Sequence, residues 1–82
     1  MRRIPVAPGE TIKEQMEDQN IDFDLLAAKL ELTYEELGDL LEGDLSIDSS
    51  IAEKLENVFD IEKDFWLKLQ VTYDKALYDW YL

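Results

Sequence analysis

The stretch DFDLLAAKLELTYEELGDLLEG, residues 22–43, decides the fold. Asp22 is a good helix N-cap, and the apolar residues that follow it repeat at helical spacing. Thr33 and Glu36 match a capping box, which predicts the start of a second helix. Gly43 suits the left-handed position that ends a helix. Two short helices with a three-residue connection predict a helix-turn-helix unit over about 22–43.

The rest of the chain is also patterned as helix. One helix is predicted after Pro8-Gly9 and ends near Asn20, and Asp48 starts another that ends near Phe59. A long C-terminal helix is predicted over about 62–80. Strand alternation is absent and β-branched residues are sparse, so residues 1–82 are expected to form one all-α domain of five helices.

The apolar spacing also predicts which faces are buried. The first helix of the 22–43 unit is expected to bury a stripe made of Leu25, Leu26, Ala27 and Leu30. The C-terminal helix is expected to have one apolar side, made of Phe65, Leu69, Tyr73, Ala76 and Trp80. Six of the nine aromatic residues follow residue 64, which is more apolar surface than one small core can cover. We therefore predict that the C-terminal helix also contacts a partner.

Several short motifs together suggest a known family. They are Pro8-Gly9-Glu10, Leu26-Ala27 with Leu30, Leu32-Thr33, Leu40-Leu41-Glu42-Gly43, and the ending Phe65-Trp66-Leu67, Leu69-Gln70 and Tyr73-Asp74. In these motifs the chain resembles the HigA-type antitoxins, within the XRE (Cro/C1-type) helix-turn-helix group, over nearly its whole length. The resemblance implies a five-helix, lambda-repressor-like domain. It further implies a small homodimer that neutralises a toxin ribonuclease and represses its own promoter.

The resemblance also assigns roles to residues. In that family the start of the second helix and the first turns of the third helix face duplex DNA, which here implies Asp22, Phe23, Thr33, Tyr34, Glu35, Glu36 and Asp39. The expected dimer or partner contacts on the C-terminal helix are Trp66, Tyr73, Leu77, Tyr78, Trp80 and Tyr81.

The charge of the chain conflicts with DNA binding. The net charge is −12, and residues 22–48 alone hold nine acidic residues against Lys29. Protein affinity for DNA depends largely on cations that meet phosphates. One carboxylate about 7 Å from a phosphate costs roughly 0.6 kcal/mol at the dielectric constant of water. We therefore predict weak or absent DNA binding, although the family resemblance points to DNA.

Three other interpretations of the acidic residues stay open. They could form a solvated face that only confers solubility, or a surface for a basic protein such as a toxin ribonuclease. They could also imitate DNA phosphates and occupy a DNA-binding protein. A remote alternative is an acyl carrier protein, because Asp48-Ser49 resembles a prosthetic-group site, but Ser50 stands where that motif has leucine. Helix capping is the simpler role for Asp48.

The composition argues against several other functions. Cys and His are absent, so the chain lacks thiolate metal ligands and the usual neutral-pH general base. No enzyme activity, cofactor or metal site is predicted. No apolar run approaches the length of a membrane span, and a cytoplasmic location is expected. Arg2 and Arg3 could form a minor-groove arm, but a solvated terminus is the simpler expectation.

Overall fold

A computed structural model describes residues 5–80. The regular structure of this range is entirely helical, as the sequence predicted. The five helices are α1 (Pro8–Asp18), α2 (Phe23–Leu30), α3 (Tyr34–Glu42), α4 (Ser49–Phe59) and α5 (Lys63–Trp80). The expectations for Arg2, Arg3 and Tyr81 lie outside the described residues.

The predicted helix caps are confirmed. The Asp22 carboxylate accepts a hydrogen bond from the Leu25 amide, and the Asp48 carboxylate does the same for Ile51, at 2.8 Å each. Gly43 ends α3 in the left-handed region with φ of 88°. The two carboxylate bonds satisfy amides that have no partner within the helix, so α2 and α4 each begin at a fixed residue.

The boundaries of α1 differ slightly from the prediction. The helix includes Pro8 and Gly9 and ends at Asp18, two residues before the predicted end at Asn20. Asn20 has a φ of 55°, and the Ile21 amide donates to the Met16 carbonyl at 2.8 Å. This left-handed turn closes the last carbonyls of α1 and redirects the chain toward α2.

Helices α1 and α3 make a close contact at Gly9. A Cβ atom at this position would lie 2.0 Å from the Leu41 carbonyl oxygen and 2.6 Å from the Leu41 Cα. Only a residue without a side chain allows the two backbones to approach this closely. The contact fixes α3 against α1 and so positions the helix-turn-helix unit.

The core lies between all five helices. Its fully buried large side chains are Ile12, Leu26, Leu30, Leu37, Leu40, Leu55 and Trp66. Trp66 is 0% exposed, its indole N–H donates to the Ile61 carbonyl at 3.1 Å, and its ring lies 6.0 Å from that of Phe59. Trp66 was expected at a dimer or partner contact. That expectation is wrong, because the core of its own chain covers the side chain completely.

Two of the predicted buried faces need correction. Leu25 is 45% exposed, whereas Leu26, Ala27 and Leu30 are buried as predicted. On α5, Phe65 is 42% exposed, and the buried residues are Trp66 and Gln70. The buried side of α5 is therefore centred on Trp66 and Gln70, because the indole of Trp66 packs on Phe59 and donates to the Ile61 carbonyl. The other residues of the predicted side are half-buried, namely Leu69, Tyr73, Ala76 and Trp80.

The turn between α2 and α3 holds a non-glycine residue in a left-handed conformation. Glu31 has φ of 57° and ψ of 39°, which costs an L-residue roughly 1–2 kcal/mol. Its exposed carboxylate lies 3.6 Å from the Lys54 ammonium, a contact that adds little to stability.

Replacing Glu31 by glycine is expected to raise the free energy of unfolding by about 0.5–1 kcal/mol, since the relieved strain exceeds the added entropy of the unfolded chain. Urea denaturation measures the change. The control is Glu31→Ala, which loses the ion pair but keeps the strain. Equal stability of the glycine and alanine variants would contradict this account.

Candidate macromolecule-binding surface

The start of α2 and the first turns of α3 form one surface. We call it the α2–α3 face, and its residues are Asp22, Phe23, Thr33, Tyr34, Glu35, Glu36 and Asp39. The rings of Phe23 and Tyr34 meet edge to face, with centroids 5.7 Å apart, and join the two helix starts. All seven residues are exposed except Phe23, which is half-buried. The helix-turn-helix fold therefore places the residues of this set next to one another and in solvent.

Side chains of the chain itself occupy the helix starts of this face. Helix N-termini ordinarily offer free amides that can bind a phosphate. Here the Asp22 carboxylate occupies the start of α2. At α3 the Thr33 hydroxyl accepts from the Glu36 amide at 3.0 Å, and the Glu36 carboxylate accepts from the Thr33 amide at 2.9 Å. The predicted capping box is thus complete, and both helix starts carry a carboxylate where a phosphate would have to approach.

Tyr34 is the most exposed aromatic side chain on this face, at 63%. A hydrogen bond to the Asp24 carboxylate, together with the negative charges of Asp24 and Asp22, raises the pKa of the Tyr34 hydroxyl. Phe23 therefore contacts the ring of Tyr34, and Asp24 interacts with its hydroxyl. Sequence reasoning missed Asp24, because its pairing with Tyr34 depends on how α2 and α3 cross.

Among the described residues, the acids at the start of α3 have no basic neighbour within ion-pair distance. Within residues 5–80, the ion pairs join Lys13 to Glu10 at 3.2 Å and to Glu42 at 3.7 Å, and Lys54 to Glu31. The hydrogen bond with Glu10, followed by the charges of Glu10 and Glu42, raises the pKa of Lys13. No described lysine lies within 4.0 Å of a carboxylate of Glu35, Glu36 or Asp39. Residues 5–80 therefore bring no lysine into ion-pair contact with these three acids.

The predicted contact residues on α5 divide between the interior and the surface. Besides the buried Trp66, the side chains of Tyr73, Leu77 and Trp80 are half-buried. The Tyr73 hydroxyl oxygen would lie 3.1 Å from a Cβ at Gly43, so this side chain packs against the end of α3. Tyr78 is 69% exposed. Only Tyr78 among the described members of this set is largely free to meet another molecule.

Sequence reasoning missed two members of the outer surface of α5. Val71 is 66% exposed and Leu67 is half-buried, and with Tyr78 they follow one side of the helix at spacings of four and seven residues. We call these three residues the outer stripe of α5. The spacing itself could have revealed the stripe, but Phe65 and Trp66 dominated the apolar pattern.

Comparisons with known proteins agree with this geometry. No protein-family model matches the chain. The virulence-associated protein A′ of Dichelobacter nodosus is 32% identical over 71 residues, which are 85% of this chain and 62% of that protein. The chain thus spans less than two thirds of that relative.

Two solved structures are similar over most of both chains. An addiction-module antidote protein of the HigA family from Coxiella burnetii is 31% identical, with a TM-score of 0.79, covering 94% of this chain and 83% of that one. The Pseudomonas aeruginosa antitoxin HigA, solved with the higBA promoter, is 28% identical with a TM-score of 0.81. That match covers 90% of this chain and 82% of the other.

Five helices with a capped α2–α3 unit define an XRE-type helix-turn-helix domain, a class that acts by binding macromolecules. The chain belongs to the HigA family of antitoxins. Membership of this family confirms the expectation that the protein is not an enzyme. No helix in the described range has the length and apolar character needed to cross a bilayer.

Proposed function

We propose that this HigA-family chain acts as an antitoxin by binding a basic protein, such as a toxin ribonuclease, through the α2–α3 face. The observation that carries the proposal is the exposed acidic start of α3, where Glu35, Glu36 and Asp39 have no cation within ion-pair distance among the described residues. A ribonuclease that binds RNA needs a basic surface, and complementary charges favour and accelerate the encounter of two proteins.

The same observation supports weak DNA binding. The Pseudomonas aeruginosa relative was solved with its promoter, so a chain of this fold can meet DNA. In this chain, however, the corresponding helices present carboxylates rather than cations at the positions that the family resemblance assigns to DNA. Base contacts specify a sequence only after phosphate contacts have positioned the protein, and phosphates would be repelled here.

A gel shift at low salt with the DNA upstream of the gene tests the DNA part of the proposal. We expect no sequence-specific complex at sub-micromolar protein concentration. The toxin part is tested by co-expression with the product of the neighbouring reading frame, which should co-purify and lose its toxicity. A tight, specific DNA complex without any protein partner would favour an ordinary repressor instead.

The outer stripe of α5 supports a homodimer as the form of the antitoxin. Of its residues, Val71 and Tyr78 are largely exposed, whereas Leu67 is half-buried and packs partly against the core. The helix carries Lys63, Lys68 and Lys75 against three aspartates, so it lacks the strong negative charge of the α2–α3 face. Two copies of this helix can therefore approach without the repulsion that two acidic faces would cause.

Introducing a charge at Val71 is expected to weaken this dimer. In Val71→Asp, pairing of the stripes would bury an unpaired carboxylate, so the dimer dissociation constant should rise at least tenfold. Sedimentation equilibrium measures the constant. The control Asn57→Asp adds the same charge at an exposed position on α4. It should leave the dimer dissociation constant within about twofold of the wild-type value. An unchanged dimer in Val71→Asp would place the interface elsewhere.

A further inference from the structure

Gln70 is a buried polar side chain in the described part of the core, with 8% of its surface exposed. Its carbonyl oxygen accepts a hydrogen bond from the Ile47 amide at 2.8 Å, and its amide nitrogen donates to the Asp74 carboxylate at 2.9 Å. Both ends of the side chain are therefore used. Removing it would leave a buried backbone amide without a partner, which is costly for a folded protein.

The Ile47 amide belongs to the segment 43–48, which joins α3 to α4. At one end of this segment, the amides of Asp44 and Leu45 both donate to the Asp39 carbonyl, at 2.8 and 3.2 Å. At the other end, Gln70 holds Ile47 from α5. The segment is thus fixed between the end of α3 and the middle of α5. Its path is set by a side chain that lies 23 residues further along the chain.

The segment also carries two exposed acidic residues of its own. Asp44 and Asp48 are exposed and follow Asp39 along the chain. Their positions relative to the α2–α3 face depend on the path of 43–48. Asp44 is also held by the Asp39 carbonyl and Asp48 by its bond to the Ile51 amide, so Gln70 fixes the path between these two acids.

We propose that Gln70 is a positioning residue for partner binding. The chain of hydrogen bonds from Asp74 through Gln70 to Ile47 fixes segment 43–48, so that Asp44 and Asp48 are held where a basic protein partner meets the end of α3. The proposal rests on the proposed function, because it assumes a basic partner at this surface. Glutamine fits the position because the site needs an acceptor at one side-chain atom and a donor at the other.

The variant Gln70→Glu gives a pH-dependent test. At pH 7.5 the new carboxylate faces Asp74 on the same helix, with Asp44 and Asp48 on the adjoining segment, and it cannot donate to Asp74. Repulsion should displace it and disturb the segment. At lower pH the two carboxylates of residues 70 and 74 can share a proton, and a protonated carboxyl both accepts and donates as glutamine does.

The probe is a fluorescent nona-arginine peptide, whose affinity is measured by anisotropy relative to the wild type at the same pH. We expect Gln70→Glu to bind it at least threefold more weakly at pH 7.5 and to regain most of the difference at pH 5.5. Gln15→Glu is the control, because it adds the same charge on α1 where Gln19 can still donate to it. This control should bind at least as tightly as the wild type at both pH values.

A second variant keeps the test independent of the peptide. In Gln70→Leu, amide hydrogen exchange at Ile47 should accelerate at least tenfold relative to the amides of α2. An unchanged exchange rate at Ile47, or a loss of peptide affinity that does not recover at pH 5.5, would overturn the positioning role. If the wild type fails to bind nona-arginine, the proposed function and the partner-positioning role are both contradicted. If the wild type binds and Gln70→Glu binds equally well at pH 7.5, only the positioning role is contradicted.

Discussion

Replacing Gly9 by alanine is expected to destabilise the domain by about 3 kcal/mol or more. The new Cβ would lie 2.0 Å from the Leu41 carbonyl oxygen, a distance that real Cβ atoms do not reach. The obstructing atoms belong to the backbone of α3, so the clash cannot be relieved by rotating a side chain. Helices α1 and α3 must separate, which opens the core beside Ile12 and Leu40.

The chain offers a matched control in Gly38, which lies within α3. A Cβ at Gly38 would meet no atom within 4 Å, so Gly38→Ala is expected to stabilise the protein by about 0.5–1 kcal/mol through helix propensity. Thermal and urea denaturation of both variants give the comparison. A Gly9→Ala variant as stable as the wild type would show that α1 does not pack on α3 at this distance.

Reversing two charges on α3 is expected to create DNA affinity. The double variant Glu35→Arg with Asp39→Arg changes the α2–α3 face by four charge units and leaves the Glu36 cap intact. At an ionic strength of about 50 mM, we expect binding of a duplex DNA oligonucleotide to tighten at least tenfold, because two repelling groups become phosphate contacts. The same variant should lose affinity for a basic protein partner.

A control variant separates the position of the charge from its amount. Glu53→Arg with Asp79→Arg changes the net charge equally, but these exposed residues lie on α4 and α5. Fluorescence anisotropy with increasing salt should show a clear gain only for the α3 variant, with a steeper salt dependence. An equal gain in both variants would mean that net charge alone controls DNA binding.

The parts of the fold that depend on short-range contacts could be predicted from the sequence. Asp22 and Asp48 bond to amides three residues further on, and Thr33 and Glu36 bond to each other. Such contacts join residues that are close in the sequence, so the sequence pattern alone indicates where they form once the helices fold. The choice between Phe65 and Trp66 as the buried ring could not be predicted, because both are aromatic neighbours. Trp66 is buried where Phe59 and the Ile61 carbonyl meet its indole.

In the candidate site, too, some features follow from the local sequence and others depend on tertiary packing. The sequence alone determined that residues 22–48 carry most of the negative charge and that they form a helix-turn-helix unit, since composition and capping are local properties. Only the tertiary structure decided which carboxylates of the described residues form ion pairs. Lys13 reaches Glu10 on its own helix and Glu42 on α3, and Lys54 reaches Glu31 across the fold.

The role of Gln70 was likewise decided by the tertiary structure alone. In the sequence it is part of a family-like ending, but its contact with Ile47 joins residues from two different helical regions. Buried amides take whichever acceptor the packed chain brings within reach, and that depends on how α5 lies against segment 43–48. The sequence determined the helices and their charge, whereas the packing of those helices decided which polar groups meet and which remain open to a partner.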